Sequence, residues 1–284
     1  MSKTVLITGC STGLGRSTAR HFAAQGWNVI ATMRQPDPSL AEANPDRLIV
    51  AALDVTDPPS IKAAIAAGVE RFGGLDAVVN NAGVSVVSVF EATAPETIRR
   101  VFDTNVFGPM NVISAALPHL QQAGGGAIVN VSSGVGFVAV PLLSLYVSSK
   151  WALEGFSESI AYELESQGIL VRLVEPGAIR TTNFSANTMA ATQLNAVPDR
   201  YQAYFAHALQ AMMNYPFEET AEQAVVDTIY RATIDRSPRL RYPVGPDIEA
   251  YAQLRWSTSE DTYRTEMARL VGQDTWRATF KTPA

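Results

Sequence analysis

Tyr146 and Lys150 have the residue types and the spacing of a proton-transfer pair. They lie four positions apart in a segment with a helical apolar pattern, and a helix would place the phenol and the ammonium on one face. A free phenol has a pKa of about 10, and a neighbouring cation favours phenolate, so a decrease of two or three units corresponds to roughly 3 to 4 kcal/mol. We therefore expect Tyr146 to exchange a proton near neutral pH. The alternative is an exposed helix pair.

Ser133 and Asn105 are further candidates for this chemistry. Ser133 lies thirteen residues before Tyr146, just after a β-branched run, where its hydroxyl could bond a substrate oxygen. Ser132 is its rival, and both serines could only cap a loop. Asn105 falls inside a predicted helix, where asparagine has low propensity, so it could bind water or backbone near Lys150. A solvated or core-satisfied asparagine is the other reading.

A glycine-rich turn follows the first apolar run of the chain. Gly9, Gly13 and Gly15 permit a tight turn and close backbone approach, and the helix after them would present free N–H groups to a pyrophosphate. The turn therefore predicts a dinucleotide site, although an ordinary loop with helix-packing glycines is the alternative. The candidate binding residues of this turn are Gly9, Ser11, Thr12, Gly13, Leu14 and Gly15.

The residues after the second strand predict which dinucleotide binds. An acidic residue there would accept hydrogen bonds from the ribose hydroxyls and repel a 2′-phosphate. This chain has Arg34 instead, whose planar guanidinium suits a phosphate, and Ser11 could add a hydroxyl donor. We therefore expect NADP(H) as the cofactor. In the alternative, Arg34 is a solvated loop residue and Asp37 turns in to bind NAD.

Two more strand ends would meet at the same crevice, because the carboxyl ends of parallel strands lie at one edge of a sheet. Asp54 could accept from the adenine amino group, with Val55 against the ring. After Asn80, the turn Asn81, Ala82 and Gly83 could bring backbone close to the cofactor. Each segment could equally be a turn in which Asp or Asn bonds neighbouring backbone.

Composition and charge exclude several classes of protein. The 284 residues are 47% hydrophobic and 17% charged, as in globular chains, and the formal charge of −5 without a basic run argues against nucleic acid and anionic membranes. No apolar run reaches the roughly 20 residues of a membrane span, and we expect a cytoplasmic protein. The single Cys10 excludes an internal disulfide, and three scattered histidines give no local metal motif.

Short apolar runs alternate with helix-period segments, which indicates a doubly wound Rossmann-type α/β fold, with a parallel sheet and helices on both faces, in one domain over residues 1–284. The predicted strands are Thr4–Thr8, Asn28–Thr32, Leu48–Ala52, Ala77–Asn80, Ala127–Val131 and Val171–Val174, with a late edge strand at Arg241–Gly245. The predicted helices are Gly13–Gln25, Pro59–Phe72, Pro95–Gln121, Leu145–Gln167, Glu219–Arg236 and a terminal helix Ile248–Val271. Residues 181–216 are expected to form an irregular, apolar-lined lid, and residues 246–284 a C-terminal helical extension.

The ordered motifs resemble those of the short-chain dehydrogenase/reductases over residues 3–181. The matching residues are Thr8-Gly9-x-x-x-Gly13-x-Gly15, Asn80-Asn81-Ala82-Gly83, Asn105, Ser133, Tyr146-x-x-x-Lys150 and Pro176-Gly177. The resemblance implies that Tyr146 is the general acid or base, that Ser133 rather than Ser132 orients substrate, that Lys150 binds the nicotinamide ribose and lowers the tyrosine pKa, and that Asn105 holds a relay water. It also implies cofactor contacts from Pro176, Gly177, Ile179 and Thr181, the last with the carboxamide.

The segments Cys10–Ser11 and Ala31–Arg34 are similar to the NADP-using 17β-hydroxysteroid and retinol dehydrogenase branch, although substrate does not follow from that similarity. We expect NADPH-dependent reduction of a lipophilic or aromatic ketone or aldehyde, or the reverse oxidation of an alcohol, by a homodimer or homotetramer. The apolar stripe of the lid could instead be a subunit contact or plain core. The alternative functions are an NADP-binding redox sensor without turnover, a steroid or retinol-type dehydrogenase using NAD, and an epimerase or dehydratase.

Overall fold

A computed structural model describes residues 2–179, 182–191, 197–214 and 218–279. Within these residues the strands are β1 Thr4–Ile7, β2 Asn28–Met33, β3 Leu48–Ala52, β4 Ala77–Asn80, β5 Gly126–Val131, β6 Ile169–Pro176 and β7 Arg241–Val244. They form one sheet in the order β3-β2-β1-β4-β5-β6-β7, and every pairing is parallel. The strand order reverses direction between β1 and β4, which is where such sheets bind ligands. The predicted doubly wound fold is confirmed, including the late edge strand.

Helices cover both faces of the sheet. Their bounds in the described residues are α1 Gly13–Ala24, α2 Pro58–Phe72, α3 Pro95–Phe102, α4 Gly108–Gln122, α5 Ser144–Glu165, α6 Asn183–Ala190, α7 Asp199–Met213, α8 Glu222–Ile234, α9 Pro246–Ser257, α10 Glu260–Leu270 and α11 Gln273–Thr279. Among these helices, none has an apolar stretch long enough to cross a bilayer.

Successive strand residues pack into two separate cores, one on each face of the sheet. Val5 of β1 packs with Phe22 of α1 and Ile229 of α8. Its neighbour Leu6 points the other way and packs in the core that contains Ile61 of α2. Because both faces are covered by helices, the strands need apolar residues at every position, which explains their uniformly apolar sequences.

The predicted helix Pro95–Gln121 is divided by a π-helical segment, Asp103–Phe107, between α3 and α4. Pro109 has no backbone N–H, so it cannot bond the carbonyl four residues earlier, which is that of Asn105. The wider turn places Asn105 in the interior, 1% exposed. A π-helical insertion of this kind is frequent at functional sites.

The expectation of an irregular lid over residues 181–216 is wrong for the part that the structure describes. Residues 183–190 form α6 and residues 199–213 form α7. In α7, Tyr201, Phe205, Ala208 and Met212 repeat with helical spacing and pack in one apolar cluster. The interleaved polar residues concealed this periodicity, because they occupy the opposite face of the helix.

The predicted terminal helix Ile248–Val271 is also wrong as a single element, since α9 and α10 occupy this stretch and α11 follows. Helix α9 ends at Ser257, and Ser259 caps α10, because its hydroxyl accepts a hydrogen bond from the Thr262 N–H at 3.2 Å. Tyr251, Tyr263 and Met267 of α9 and α10 pack with Phe137, which follows β5. The C-terminal extension is therefore part of the wall around the carboxyl ends of the strands.

The close packing of α2 on the sheet gives a prediction for two glycines in helices. A Cβ at Gly68 would overlap the side chain of Ile30, whereas a Cβ at Gly155, which is exposed on α5, would meet no atom within 4 Å. Gly68→Ala should therefore lower the free energy of unfolding by about 1–2 kcal/mol through overpacking. Gly155→Ala should raise it by about 0.5–1 kcal/mol through helix propensity. Urea denaturation of both variants at pH 7 measures the difference, and equal effects would contradict the packing described.

Candidate active site

The glycine-rich turn and the turn after β4 are held together by hydrogen bonds. The Thr8 hydroxyl accepts from the backbone N–H groups of Asn81 and Ala82, both at 3.0 Å. The Asn81 side-chain amide donates to the carbonyls of Thr8 at 2.9 Å and Gly9 at 3.3 Å. Asn81 therefore shapes the turn with its side chain, and Ala82 and Gly83 contribute to the wall of the site.

The glycines of the turn are placed as a dinucleotide phosphate requires. Gly9 and Gly13 have φ of +74° and +51°, in the region that favours glycine. A Cβ at Gly15 would overlap the Gly9 carbonyl. Helix α1 starts after Thr12, whose side chain makes no capping hydrogen bond, so the first N–H groups of the helix remain available to an anion. The residues present thus fit a dinucleotide pyrophosphate.

At the end of β2, Arg34 and Asp37 have different surroundings. Arg34 is exposed and lines the site cavity. Asp37 pairs with Arg16 at 2.8 Å and accepts a hydrogen bond from the Ser39 N–H at 3.1 Å. Hydrogen bonds from the Ser39 side chain, from Arg16 and from the Ser39 N–H hold the pKa of Asp37 below its usual value. The carboxylate of Asp37 is therefore already bound to groups outside the cavity wall.

Asp54 has partners of its own at the end of β3. Its Oδ1 accepts from the Thr56 N–H at 2.9 Å and from the Thr56 hydroxyl at 2.7 Å. These bonds, opposed by partial burial, hold the pKa of Asp54 below its usual value, and the charge of Arg34 acts in the same direction. Val55, 7% exposed, packs against Gly108. Asp54 is thus a turn residue that also lies in the cavity wall.

Tyr146, Ser133 and Lys150 converge at the carboxyl end of β5. The Ser133 hydroxyl lies close enough to the Tyr146 hydroxyl to affect its pKa. The Lys150 ammonium lies 5.7 Å from the centroid of the Tyr146 ring and donates to the Val131 carbonyl at 2.8 Å. Helix α5 supplies both Tyr146 and Lys150 from one face, as their spacing predicted. The neighbouring Ser132 is 3% exposed and lies close to Glu154, since a Cβ at Gly136 would approach both side chains.

The pKa of Tyr146 is shifted in the opposite direction from the one expected. Burial raises the pKa of Tyr146 to about 12, and the Ser133 hydroxyl only partly opposes this. Burial also lowers the pKa of Lys150 to about 8, against the opposing charge of Glu154. The expected lowering of the phenol pKa is wrong for this structure, because the loss of water on burial outweighs the effect of Ser133. Tyr146 is accordingly protonated at neutral pH.

Asn105 bonds backbone at this site. Its Oδ1 accepts from the Val84 N–H at 2.9 Å, and its Nδ2 donates to the Val84 carbonyl at 2.8 Å and to the Ser149 hydroxyl at 3.0 Å. The side chain therefore joins the turn after β4 to helix α5. A Cβ at Gly83 would lie 3.5 Å from Asn105 Oδ1 and 3.9 Å from Lys150 Nζ, so the three residues are neighbours.

A single cavity of about 980 Å³ joins the glycine turn to the tyrosine. The predicted site residues in its wall are Gly9, Ser11, Thr12, Gly13, Leu14, Gly15, Arg34, Asp54, Val55, Asn81, Ala82, Gly83, Ser133, Tyr146, Lys150, Pro176, Gly177 and Ile179. Asn105 is not in the wall, and Thr181 lies outside the described residues.

The C-terminal extension contributes part of the wall that was not predicted from the sequence. These residues are Asp247, Ile248, Tyr251, Leu270 and Val271. Asp247, which is 3% exposed, lies next to Gly177. A Cβ added at Gly177 would overlap Oδ1 of Asp247. The signal for Asp247 was its position just after β7, since the carboxyl end of every parallel strand faces the same crevice. The other four had no such signal.

The fold and the cavity together define a Rossmann-type α/β protein whose site lies at the carboxyl edge of the sheet. A family model described as short chain dehydrogenase matches residues 3–192. The chain therefore belongs to the short-chain dehydrogenase family and is one of its oxidoreductases. The resemblance inferred from the motifs is confirmed.

Two relatives and three solved structures illustrate the similarity. YusZ of Bacillus subtilis, an uncharacterized oxidoreductase, is 37% identical over 277 residues, which are 93% of this chain and 98% of that protein. Retinol dehydrogenase 8 of Bos taurus is 38% identical over 188 residues, 63% of this chain and 60% of that protein. A short-chain dehydrogenase of Streptomyces avermitilis has a TM-score of 0.77 at 31% identity, covering 98% of both chains.

The other two structures hold different cofactors. ElxO with NADP bound has a TM-score of 0.73 at 27% identity, covering 88% of this chain and 100% of that chain. A short chain dehydrogenase of Mycobacterium paratuberculosis bound to NAD has a TM-score of 0.72 at 28% identity, covering 86% and 96%. Proteins similar to this chain thus bind either nicotinamide dinucleotide.

The contact between Gly15 and Gly9 predicts how binding depends on the turn. In Gly15→Ala the added methyl group must displace backbone, so the N–H groups of the turn lose their alignment. We expect the dissociation constant for NADPH, measured by fluorescence titration, to rise at least tenfold, about 1.4 kcal/mol, with the far-ultraviolet circular dichroism spectrum retained. Gly155→Ala is the matched control and should bind as the wild type does. Unchanged binding by the Gly15 variant would refute the assignment of this turn.

Proposed function

We propose that the protein is an NADPH-dependent carbonyl reductase that acts on a lipophilic or aromatic ketone or aldehyde, and that in reverse it oxidises the corresponding alcohol. The observation that carries the proposal is that the Tyr146 and Ser133 hydroxyls lie close together in the wall of the same cavity as the glycine turn. A bound nicotinamide dinucleotide supplies or accepts the hydride.

In the proposed mechanism, Ser133 and Tyr146 act on the substrate oxygen. Ser133 donates a hydrogen bond that orients the carbonyl, and Tyr146 donates its proton to that oxygen as the carbon is reduced. The raised pKa of about 12 keeps Tyr146 in the proton-donating form at neutral pH, which favours reduction over oxidation. Lys150 provides a buried positive charge beside the phenol and a donor for ribose hydroxyls, and Asn105 holds the Val84 backbone.

The substrate class is inferred from the cavity wall between Tyr146 and the C-terminal extension. Its side chains are predominantly apolar: Val87, Val140, Leu143, Phe184, Met189, Met212, Leu270 and Val271. The arginines of the wall, Arg34, Arg99 and Arg100, come from the end of β2 and from α3. Apolar walls with few polar groups favour a neutral, lipophilic substrate over a charged one. The similarity to retinol dehydrogenase 8 supports a lipophilic substrate.

The preference for NADP(H) rests on Arg34 and Asp37. Arg34 is free to face a 2′-phosphate, and the competing carboxylate of Asp37 is engaged by Arg16 at 2.8 Å. A homo-oligomer stays part of the proposal, with the exposed aromatic residues Phe107, Trp151 and Tyr162 as candidate contacts. The cytoplasmic location stays a prediction.

Monitoring NADPH absorbance across a panel of neutral carbonyl compounds tests the function. We expect net oxidation of NADPH with aromatic and long-chain ketones or aldehydes. Tight binding without consumption would indicate a sensor, and product formation without net change in the cofactor would indicate an epimerase. Either result would overturn the proposal.

Removal of the phenol hydroxyl tests its role. Tyr146→Phe should lower kcat by at least about 100-fold, because it removes the proton donor while the nucleotide end of the cavity is untouched. NADPH affinity and thermal stability should stay close to wild type. Tyr162→Phe, which removes a hydroxyl from an exposed position of the same helix, should retain full kcat. Near-normal turnover by the Tyr146 variant would exclude it as the donor.

Reversal of charge at Arg34 tests the cofactor preference. Arg34→Asp should lower the ratio of NADPH to NADH efficiency, measured as kcat/KM, by at least tenfold, because a carboxylate repels the 2′-phosphate and accepts from ribose hydroxyls. Arg20→Asp makes the same change at an exposed position outside the cavity wall and should leave the ratio unchanged. Equal ratios in the two variants would contradict a role for Arg34.

A further inference from the structure

Two buried carboxyl groups lie behind Lys150, on the side away from the cavity. Glu154 follows Lys150 by one turn of α5 and is 4% exposed. Glu175 precedes Pro176 on β6 and is 0% exposed. Neither residue has a part in the mechanism above. Buried carboxylates are costly unless they are paired or keep a proton, so this pair calls for an explanation.

Arg241 of β7 is the cation that both carboxyl groups share. Its Nη2 lies 3.2 Å from Glu154 Oε2, and its Nε lies 3.4 Å from Glu175 Oε1. The same Nη2 also lies 3.0 Å from Glu158 Oε2, on a half-exposed side chain. The Arg241 guanidinium therefore faces three carboxyl groups, two of which are buried. Like-charged carboxyls that share such a site hold a proton between them at neutral pH.

The surroundings indicate which carboxyl group is ionised. Burial raises the pKa of Glu154, and the Ser132 hydroxyl and the charges of Arg241 and Lys150 oppose that shift. Glu175 is fully enclosed, and burial together with the neighbouring Glu154 raises the pKa of Glu175 to about 9. The full enclosure of Glu175 favours the proton on that residue. The contact of Glu154 with Arg241 at 3.2 Å, and Lys150 one turn earlier on α5, favour the negative charge on Glu154.

Few other charges reach this group. Tyr146 lies on the same helix, and the charge of Arg239 acts on Glu175 from the loop before β7. On β6, Arg172 bonds the backbone carbonyls of Val171, Asp235 and Ser237. The charged residues of the other elements packed against α5 are exposed: Glu96, Arg99, Arg100 and Asp103. Among the described residues, Glu154 is therefore the anion whose charge opposes the effect of burial on Lys150.

We propose that Glu154 is a positioning residue that keeps Lys150 protonated at the working pH, and that the proton on Glu175 limits the buried pair to one negative charge. The effect of Glu154 on turnover rests on the proposed function of Lys150, whereas the proton on Glu175 does not depend on it.

The first experiment measures the pH profile of kcat/KM for carbonyl reduction. The alkaline limb of the wild type should follow loss of the Lys150 proton, with a pKa of about 8. In Glu154→Gln the cation loses its anion, so the limb should move to lower pH by about one unit. Glu154→Asp keeps the charge and should restore the wild-type limb. Glu158→Gln, which removes a carboxylate from the same guanidinium, should leave the limb in place.

A structural role alone would lower kcat/KM or stability in Glu154→Gln without moving the limb, and that result would overturn the assignment of Glu154. A shifted limb in Glu158→Gln of the same size would do so as well, since it would trace the effect to Arg241.

The second experiment counts protons released on unfolding and needs no turnover. The folded pKa of Glu175, about 9, lies above its unfolded value of 4.5. The stabilisation that folding gains from binding a proton at Glu175 is therefore fully present below pH 4.5 and is lost as the pH rises toward 9. At pH 7 unfolding of the wild type should release about one proton more than unfolding of Glu175→Gln, as given by the pH dependence of the free energy of unfolding. Glu158→Gln should match the wild type.

Equal proton release by the wild type and Glu175→Gln would overturn the proposal even if the protein reduces carbonyl compounds. Conversely, if the protein reduces none of the panel but the difference of one proton is measured, the proposed function is overturned and the proton on Glu175 is supported. The two failures are thus distinguishable.

Discussion

The hydrogen bond from the Lys150 ammonium to the Val131 carbonyl, 2.8 Å long, is the contact on which the chemical end of the site depends. It fixes helix α5 against the carboxyl end of β5. Ser133 follows that same strand by two residues, so the bond also determines which hydroxyl Tyr146 meets. An ammonium without water is costly, and the carbonyl replaces only part of its hydration. The burial that aligns the residues is therefore also what changes their pKa values.

Side-chain hydrogen bonds to backbone also shape the dinucleotide end of the site. Polar side chains at strand ends bond neighbouring backbone, as Thr8 and Asn81 do across β1 and β4. A buried chain of side-chain amides continues the pattern, from Asn80 to Asn130 at 2.8 Å and from Asn130 to Ser157 of α5 at 2.8 Å. These bonds satisfy groups that would otherwise be unpaired in the interior. They also hold the two ends of the cavity in one rigid frame.

The strands and the main helices were predictable from the sequence, because a sheet covered on both faces requires uninterrupted apolar runs. Helices α6 and α7 were not, since the interleaved polar residues conceal the apolar periodicity of this stretch. The spacing of Tyr146 and Lys150 predicted their common face but not the direction of the phenol pKa, which depends on burial supplied by distant segments. Likewise, Glu154 and Arg241 meet across 87 positions, and no local pattern indicates such a pair.

A crystal structure of the protein with NADP⁺ bound tests the central claim, that one buried phenol beside one buried ammonium faces the reactive end of the cofactor. We expect the pyrophosphate at the first turn of α1, the nicotinamide next to the Tyr146 hydroxyl, and Lys150 within hydrogen-bond distance of the ribose while it keeps its bond to Val131. A nicotinamide bound elsewhere, or Tyr146 and Lys150 turned away from it, would contradict the account.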